Sequence, residues 1–233
     1  LALLSFGADW LVRGASDLAL RARVSPLVVG LTVVAFGTSA PELIVSLDSA
    51  IRGYPDLALS NVVGSNIANL GLVLGLALLL GHMEVRRSFY FTDWSVMMAA
   101  SLLFFVFVYG DLLLGQTEGF IMVVALFLFL VYLLRYQKPE LDDVLPEEFE
   151  TLPLYKTVFF LGAGGLALWG GSELLITGAV GLANLFHVSE RFIGITVVSV
   201  GTSIPELAAS IFAMVKKEKS ISVGNLIGCN IFN

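Results

Sequence analysis

The sequence predicts an all-α polytopic membrane protein that is built as an inverted-topology repeat of transmembrane helices. Three observations predict this fold. Hydrophobic residues make up 57% of the chain and charged residues 14%, whereas soluble domains carry about 25% charged residues. Apolar runs long enough to cross a bilayer, which takes about 20 residues, follow one another along the chain. One of these runs contains a glutamate, and a second copy of that run occurs later in the sequence.

Eight apolar segments are expected to be transmembrane helices. They cover about 1–21, 26–51, 56–81, 89–109, 117–135, 152–186, 191–215 and 221–233. The first and the last stop inside a transmembrane pattern, so we expect both ends of the chain to be truncated. Acidic residues interrupted by Pro139 and Pro146 separate the fifth segment from the sixth. We therefore expect a first repeat at 1–136 (helices 1–5), an acidic cytoplasmic linker at 137–151, and a second repeat at 152–233 (helices 6–8).

The duplicated stretch places a carboxylate at membrane depth in each copy. The first copy contains Gly37-Thr38-Ser39-x-Pro41-Glu42, and the second contains Gly201-Thr202-Ser203-x-Pro205-Glu206. A charged side chain inside the bilayer is costly, so its presence there usually indicates function. Proline removes one amide and displaces the carbonyl four residues earlier, so we expect a broken helix with freed carbonyl oxygens at each motif. The start of the following half-helix favours the carboxylate.

The duplication extends far beyond these motifs. The offset of 164 residues between Glu42 and Glu206 relates 7–69 to 171–233 without a gap. The matched pairs include Gly7 with Gly171, Gly30 with Gly194, Asn61 with Asn225, Gly64 with Gly228, Asn66 with Asn230 and Asn69 with Asn233. Five segments separate equivalent points, and because this number is odd the two copies must cross the membrane in opposite senses.

Positive charge in the loops supports this topology. If the 137–151 linker is cytoplasmic, only Arg52 and Arg191 lie in loops on the opposite side. The cytoplasmic side then carries Arg21, Arg23, Arg86, Arg87, Arg135, Lys138, Lys156, Lys216, Lys217 and Lys219. This asymmetry agrees with the positive-inside rule.

Two inverted half-sites that meet at the bilayer centre would bring Glu42 and Glu206 together. Two carboxylates carry the charge that neutralises one divalent cation. The polar groups nearest to them in the pattern also offer oxygen, namely Thr38, Ser39, Thr202, Ser203, Asn69 and Asn233. Oxygen ligands without histidine or a cysteine cluster favour Ca²⁺ over zinc or copper, with Na⁺ as the competitor of similar size. Asn61, Asn66, Asn225 and Asn230 are equally well explained as polar residues that hold helices together.

The remaining charges in the apolar segments have a structural explanation. Asp9, Arg13 and Asp17 are spaced four residues apart on one helix face, where they can satisfy one another. Asp48 and Asp93 lie near helix ends and are expected at the membrane interface. The acidic linker lacks the spacing of a calcium-binding loop, so we expect its carboxylates to be solvated.

The paired motifs, together with Gly64-Ser65-Asn66-Ile67-x-Asn69 and its counterpart Gly228-Cys229-Asn230-Ile231-x-Asn233, resemble the two alpha-repeats of the sodium/calcium exchanger family of cation/calcium antiporters. The resemblance implies ten helices in a five-plus-five inverted repeat. It implies exchange of Ca²⁺ for Na⁺ by alternating access, with four ion sites in a diamond and with Glu42 and Glu206 shared between the Ca²⁺ and Na⁺ positions. It also implies that Ser65 and the backbone oxygens of Ala35 and Ser199 complete the ligand set.

Two departures from the family pattern affect the expected site. Cys229 stands where the family usually has a hydroxyl, which weakens one Na⁺ position. Asn233 stands where the potassium-dependent branch carries an aspartate, so potassium dependence is not expected. The proton/calcium branch typically has Gly-Asn in place of Gly-Thr-Ser, and this chain has Thr38-Ser39 and Thr202-Ser203 after the glycine, so Na⁺ is the expected counter-ion. The short linker suggests a microbial-type protein.

An H⁺/Ca²⁺ antiporter, or an exchanger of another divalent cation, remains the alternative. An intramembrane enzyme is disfavoured, since the sequence has no His-Glu-x-x-His motif and neither histidine lies near Ser39 or Ser203 in the pattern. A channel fits poorly with two inverted broken-helix motifs. We expect a multi-pass protein of the cell (inner or plasma) membrane that functions as a monomer in the lipid bilayer, without a cofactor or a nucleic-acid partner.

Overall fold

In a computed structural model, residues 2–83, 85, 87–109, 114–136, 152–185 and 199–233 are described, and they form helices without strands. The helices are α1 (Ala2–Ala22), α2 (Pro26–Ile51), α3 (Pro55–Leu80), α4 (Arg87–Phe91), α5 (Asp93–Tyr109), α6 (Gln116–Tyr136), α7 (Leu154–Leu185), α8 (Ser199–Thr202), α9 (Ile204–Val215) and α10 (Lys219–Phe232). Helices α4 and α5 together form the predicted fourth segment, and α8 and α9 lie in the seventh. The 137–151 linker and the first part of the seventh segment lie outside the described residues.

The first helices of the two repeats, α1 and α7, pack side by side in opposite directions. A Cβ added to Gly7 would lie 2.9 Å from the backbone of Leu168, and one added to Gly171 would lie 3.0 Å from the side chain of Leu4. The two contacts are equivalent, because the offset of 164 residues relates Gly7 to Gly171 and Leu4 to Leu168. The antiparallel packing of equivalent helices agrees with an inverted repeat, and the small residues at the crossing permit the close approach common in membrane bundles.

Asp17 fastens the end of α1 to the start of α7. Its carboxylate accepts hydrogen bonds from the backbone amide of Leu152 at 2.7 Å, from the Thr157 hydroxyl, and from Arg21 at 2.8 Å. Arg13 pairs with Asp9 at 3.0 Å, as expected. Asp17 does not pair with Arg13 as expected, and its partners are Arg21 of the same helix, Leu152 and Thr157.

The helices that carry the duplicated motifs are irregular in different ways. The helix α2 contains a π-helical turn at Gly30–Val34 and then continues through Pro41 as an α-helix. In the second copy the break expected near Pro205 is present, because α8 ends at Thr202 and α9 begins at Ile204. The helix α3 likewise contains a π-helical turn, at Asn69–Val73. Each irregular turn lies next to a residue predicted to be a ligand.

The helix α10 packs against α2 with very little space between the two backbones. A Cβ on Gly224 would lie 2.4 Å from the Leu27 carbonyl oxygen, and one on Gly228 would lie 2.6 Å from that of Leu31. This contact brings α10, from the second repeat, against the motif helix of the first.

Among the described residues, five helices are long and apolar enough to cross a membrane, namely Pro26–Ile51, Pro55–Leu80, Phe89–Tyr109, Gln116–Arg135 and Leu154–Gly178. Large apolar side chains such as Phe105, Phe120 and Phe127 are exposed on α5 and α6. A hydrocarbon environment covers such surfaces, and the fold is that of a multi-pass integral membrane protein.

Candidate ion-binding site

Glu42 in α2 and Glu206 in α9 lie in the interior of the helix bundle. Their exposed fractions are 2% and 0%, although both side chains carry ionisable carboxyl groups. Residues of this type are almost never fully buried in proteins unless they are paired or bind a cation. Asp48, also on α2, shows the contrast, because it is exposed and pairs with Arg52 at 2.8 Å.

One hydrogen bond joins the two copies of the motif directly. The Ser39 hydroxyl of the first copy donates to Glu206 Oε1 of the second at 3.1 Å. Ser39 lies three residues before Glu42, so this bond places the Glu206 carboxylate against the first motif. The structure therefore brings together the two half-sites that the sequence pattern predicted would meet.

Several buried polar atoms in this region have no hydrogen-bond partner among the described residues. They are Glu42 Oε1, Glu42 Oε2, Asn69 Oδ1, Asn69 Nδ2, Ser203 Oγ, Glu206 Oε2 and Asn230 Oδ1. An unpaired buried polar group costs free energy, so such groups usually have an unseen partner. All but the last belong to residues that the sequence predicted to be ligands, and five of those six atoms are oxygens.

The two copies of the motif differ in the hydrogen bond between serine and glutamate. Under the repeat offset, the counterpart of the bond from Ser39 to Glu206 would join Ser203 to Glu42. Neither Ser203 Oγ nor the Glu42 carboxylate has a partner among the described residues. The carboxylate of the first copy is therefore the less satisfied of the two.

Thr38 lies at the interface between α2 and α10. Its hydroxyl lies 3.3 Å from the Ala35 carbonyl oxygen, 3.1 Å from Asn225 Oδ1 and 3.4 Å from Cys229 Sγ. The Cys229 thiol also lies 3.9 Å from the same Ala35 carbonyl oxygen. Two predicted ligands of the first copy, Thr38 and the Ala35 carbonyl, thus face Cys229 of the second.

The predicted ligands on α3 meet the end of α10. Ser65 and Asn69 are each 1% exposed. Asn233 is partly buried, and its amide donates to Ser65 Oγ at 3.0 Å and to Asn66 Oδ1 at 3.4 Å. The contact of Asn66 with another helix agrees with the structural explanation of that residue, and Asn233 connects the two repeats.

The remaining predicted ligands lie in α8 and at the break between α8 and α9. Thr202 is 4% exposed and Ser203 is 1% exposed. Ser199 begins α8, where its backbone carbonyl was predicted to contribute. The Ser172 hydroxyl of α7 donates to the Gly201 carbonyl oxygen at 2.7 Å, which ties this broken segment to the rest of the second repeat.

The sequence analysis did not predict two equivalent sets of hydrogen bonds next to the glutamates. We call each set a clamp, in which one asparagine amide donates to the backbone oxygen of the glutamate and to a serine hydroxyl. Asn61 Nδ2 donates to the Glu42 backbone oxygen at 3.3 Å and to Ser46 Oγ at 2.9 Å. Asn225 Nδ2 makes the equivalent bonds to the Glu206 backbone oxygen at 3.4 Å and to Ser210 Oγ at 3.0 Å. The sequence could have predicted these bonds, because the repeat offset relates Ser46 to Ser210 as it relates Asn61 to Asn225.

The donor set suits a hard cation. In the part of the chain that the structure describes, no cluster of three or more His, Cys, Asp or Glu side chains could hold a metal ion. The Ser39 hydroxyl contacts Glu206, and the buried atoms without partners include the Ser203 hydroxyl and the Asn69 amide oxygen. Carboxylate, hydroxyl and amide oxygens are ligands of Ca²⁺ and similar ions.

Comparison with known proteins points to one family. A family model described as "Sodium/calcium exchanger protein" matches residues 1–135 and 156–233. CaxA of Alkalimonas amylolytica is 38% identical over 239 residues, which cover 100% of this chain and 75% of the relative. The sodium/calcium exchanger MaX1 of Methanosarcina acetivorans is 31% identical over 272 residues, which cover 100% of this chain and 77% of that protein.

A solved structure shares the fold. The sodium-calcium exchanger NCX_Mj, soaked with Na⁺ and Ca²⁺, superposes with a TM-score of 0.86 and 28% sequence identity. The superposition covers 99% of this chain and 74% of the exchanger chain. These matches support cation/Ca²⁺ antiport as the general activity.

Proposed function

Since the chain belongs to the sodium/calcium exchanger family, we propose that it is a secondary active antiporter that exchanges Ca²⁺ for Na⁺ by alternating access. In this proposal the ions bind between the two copies of the repeat. Glu42 and Glu206 neutralise their charge, and the other predicted ligands supply neutral oxygens.

The observation that carries this proposal is the set of buried atoms without partners, contributed by both repeats. The atoms of Glu42 and Asn69 come from the first copy, and those of Ser203 and Glu206 come from the second. A cation held between them would satisfy these oxygens together and compensate two buried carboxylates. Two carboxylates surrounded by neutral oxygens match a divalent cation, and the same oxygens can hold Na⁺ ions, which have a similar radius.

The inverted repeat offers a reason for alternating access. Ser39 satisfies one oxygen of Glu206, whereas its counterpart Ser203 does not bond Glu42. Two inverted copies can exchange such conformations, which opens the site toward opposite sides of the membrane in turn. We propose that Ser203 bonds Glu42 in the opposite-facing conformation.

The test is uptake of radioactive Ca²⁺ into liposomes that contain the purified chain, driven by an outward Na⁺ gradient. Glu42→Gln and Glu206→Gln are each expected to lower the uptake at least about a hundredfold, because one carboxylate leaves a buried divalent cation undercompensated. Asp48→Asn is the matched control on α2, since it removes an exposed carboxylate and should leave uptake unchanged.

Two results would contradict the proposal. Near-normal Na⁺-driven uptake by either glutamine variant would exclude the two-carboxylate site. Uptake by the unsubstituted chain that follows a pH gradient and ignores the Na⁺ gradient would replace Na⁺ with H⁺ as the counter-ion.

A further inference from the structure

Asn225 in α10 is fully buried. The nitrogen of its side-chain amide contacts its own repeat, and the oxygen contacts the other repeat. Its Nδ2 donates to Ser210 Oγ at 3.0 Å and to the Glu206 backbone oxygen at 3.4 Å, both on α9. Its Oδ1 lies 3.1 Å from the Thr38 hydroxyl on α2. The side chain therefore connects the segment that carries one glutamate to a predicted ligand of the other copy.

The contacts with α9 fix which way the amide points. Only the amino group of an asparagine side chain can donate, and two acceptors on α9 face Nδ2. Oδ1 is then directed toward α2, where the Thr38 hydroxyl lies at 3.1 Å, and it also lies 3.5 Å from the thiol of Cys229, one turn later on α10. A carbonyl oxygen has two lone pairs, so it can accept from both groups.

The direction of the Thr38 proton matters for cation binding. A hydroxyl has one proton and two lone pairs, and it binds a cation only through a lone pair. If the proton is donated to Asn225 Oδ1, the lone pairs of Thr38 stay available. The Ala35 carbonyl oxygen, which lies 3.3 Å from the same hydroxyl and is itself a predicted ligand, then does not accept the Thr38 proton and keeps a lone pair for a cation.

Packing alone explains only half of these contacts. Asn61, the counterpart in the first copy, forms the same clamp with Ser46 and the Glu42 backbone oxygen, so the Nδ2 half holds neighbouring helices together in both repeats. The buried Oδ1 needs a donor in any case, and here the donor is a predicted ligand on α2. The contact between Oδ1 and Thr38 therefore does more than join α9 to α10, because it offers an acceptor for the proton of a predicted ligand.

We propose that Asn225 is a positioning residue that takes the Thr38 proton and so turns Thr38 and the Ala35 carbonyl into acceptors for the transported cation. This inference rests on the proposed function, because it assumes that a cation binds at Thr38. Asn225 acts through Thr38 and is not itself a ligand. Similar outer contacts orient the ligands of many protein metal sites.

A double-mutant cycle tests the inference, with the Ca²⁺ dissociation constant of the purified chain measured by calorimetry. Thr38→Val removes the hydroxyl and keeps the side-chain shape. We expect it to weaken Ca²⁺ binding about tenfold in the unsubstituted background, and about twofold or less when Asn225→Leu has already removed the acceptor. Ser39→Ala is the control, since Ser39 donates to Glu206, and its effect should be the same in both backgrounds.

The outcomes separate this inference from the proposed function. If Thr38→Val weakens Ca²⁺ binding by the same factor in both backgrounds, Asn225 does not act through Thr38 and the inference is wrong. If the unsubstituted chain binds no Ca²⁺, the proposed function fails and the inference fails with it. Should Asn225→Leu not fold, the cycle is completed with Asn225→Ser, whose shorter side chain also withdraws the acceptor from Thr38.

Discussion

Cys229 places a thiol in the candidate site at a position where the first repeat has a hydroxyl. It is the counterpart of Ser65, and its thiol is fully buried against Thr38 and the Ala35 carbonyl oxygen. A thiol is a soft ligand, whereas a serine hydroxyl is a hard oxygen donor that suits Na⁺. In the proposed site, the second repeat would therefore offer Na⁺ a weaker partner than the first repeat offers through Ser65.

We expect Cys229→Ser to strengthen Na⁺ binding because it replaces sulphur with oxygen at a position that faces two predicted ligands. A gain comparable to one hydrogen bond would lower the Na⁺ concentration for half-maximal exchange about fivefold. The measurement is the rate of Ca²⁺ exchange in liposomes as a function of Na⁺ concentration.

The reciprocal variant Ser65→Cys is the control, and it should raise the Na⁺ requirement. Ser65 lies at the same point of the first repeat and accepts a hydrogen bond from Asn233 at 3.0 Å. If neither variant moves the Na⁺ curve, these two side chains do not contribute to a Na⁺ position.

The sequence predicted which residues meet at the site better than it predicted how they are held. A carboxylate next to Gly, Thr, Ser and Pro, repeated at one offset, was enough to predict the meeting of Glu42 and Glu206. The role of Asn225 could not be predicted, because its partner Thr38 lies 187 residues away and in the other repeat. Spacing along one helix describes only the contacts within that helix.

At the scale of elements, the two helices that carry the motifs accommodate their proline in different ways. Proline at an internal position removes one backbone hydrogen bond, which a long buried helix can tolerate. In α2 the chain continues through Pro41, and the irregularity appears earlier, as the π-helical turn at Gly30–Val34. In the second copy, Ser203 leaves the helical conformation and separates α8 from α9. The motif alone does not determine which of these forms results.

The crossing of α2 and α10 leaves no room for a side chain at Gly228. A Cβ there would lie 2.5 Å from the Ala35 Cβ and 2.6 Å from the Leu31 carbonyl oxygen. We expect Gly228→Ala to force the helices apart at a cost of about 1–3 kcal/mol, and to lower the unfolding temperature in detergent by about 3–10 °C. Because Ala35 would move, Ca²⁺ binding should weaken as well. Thermal unfolding and calorimetry measure the two effects.

Gly119→Ala is the matched control, since Gly119 lies within α6 and an added Cβ there meets nothing within 4 Å among the described residues. Alanine favours a helix more than glycine does, so this variant should be neutral or slightly stabilising. Equal unfolding temperatures for Gly228→Ala and the unsubstituted chain would contradict the close packing of α10 on α2.

At the scale of the whole molecule, one end of the helix bundle gathers the ends of three helices. Asp17 near the end of α1 bonds Leu152 before α7, and Ser16 and Asp17 line one cavity together with Lys216 and Glu218, which follow α9. The ends of α1 and α9 and the start of α7 therefore lie on the same membrane side. Basic residues are concentrated on this side in the sequence, which predicted the inverted topology of the two repeats without any knowledge of side-chain contacts.

This arrangement predicts which side faces the cytoplasm. We expect the 137–151 linker, which precedes α7, to be cytoplasmic and the turn after α2 at Arg52 to be external. In a Cys229→Ser background, a cysteine introduced at Glu148 should resist a membrane-impermeant thiol reagent in intact cells and react after permeabilisation. A cysteine at Asp56, an exposed position in the first turn of α3, should react in intact cells. The reverse pattern would show that the molecule is inserted the other way, and equal labelling of both positions would place them on one side and contradict the inverted repeat.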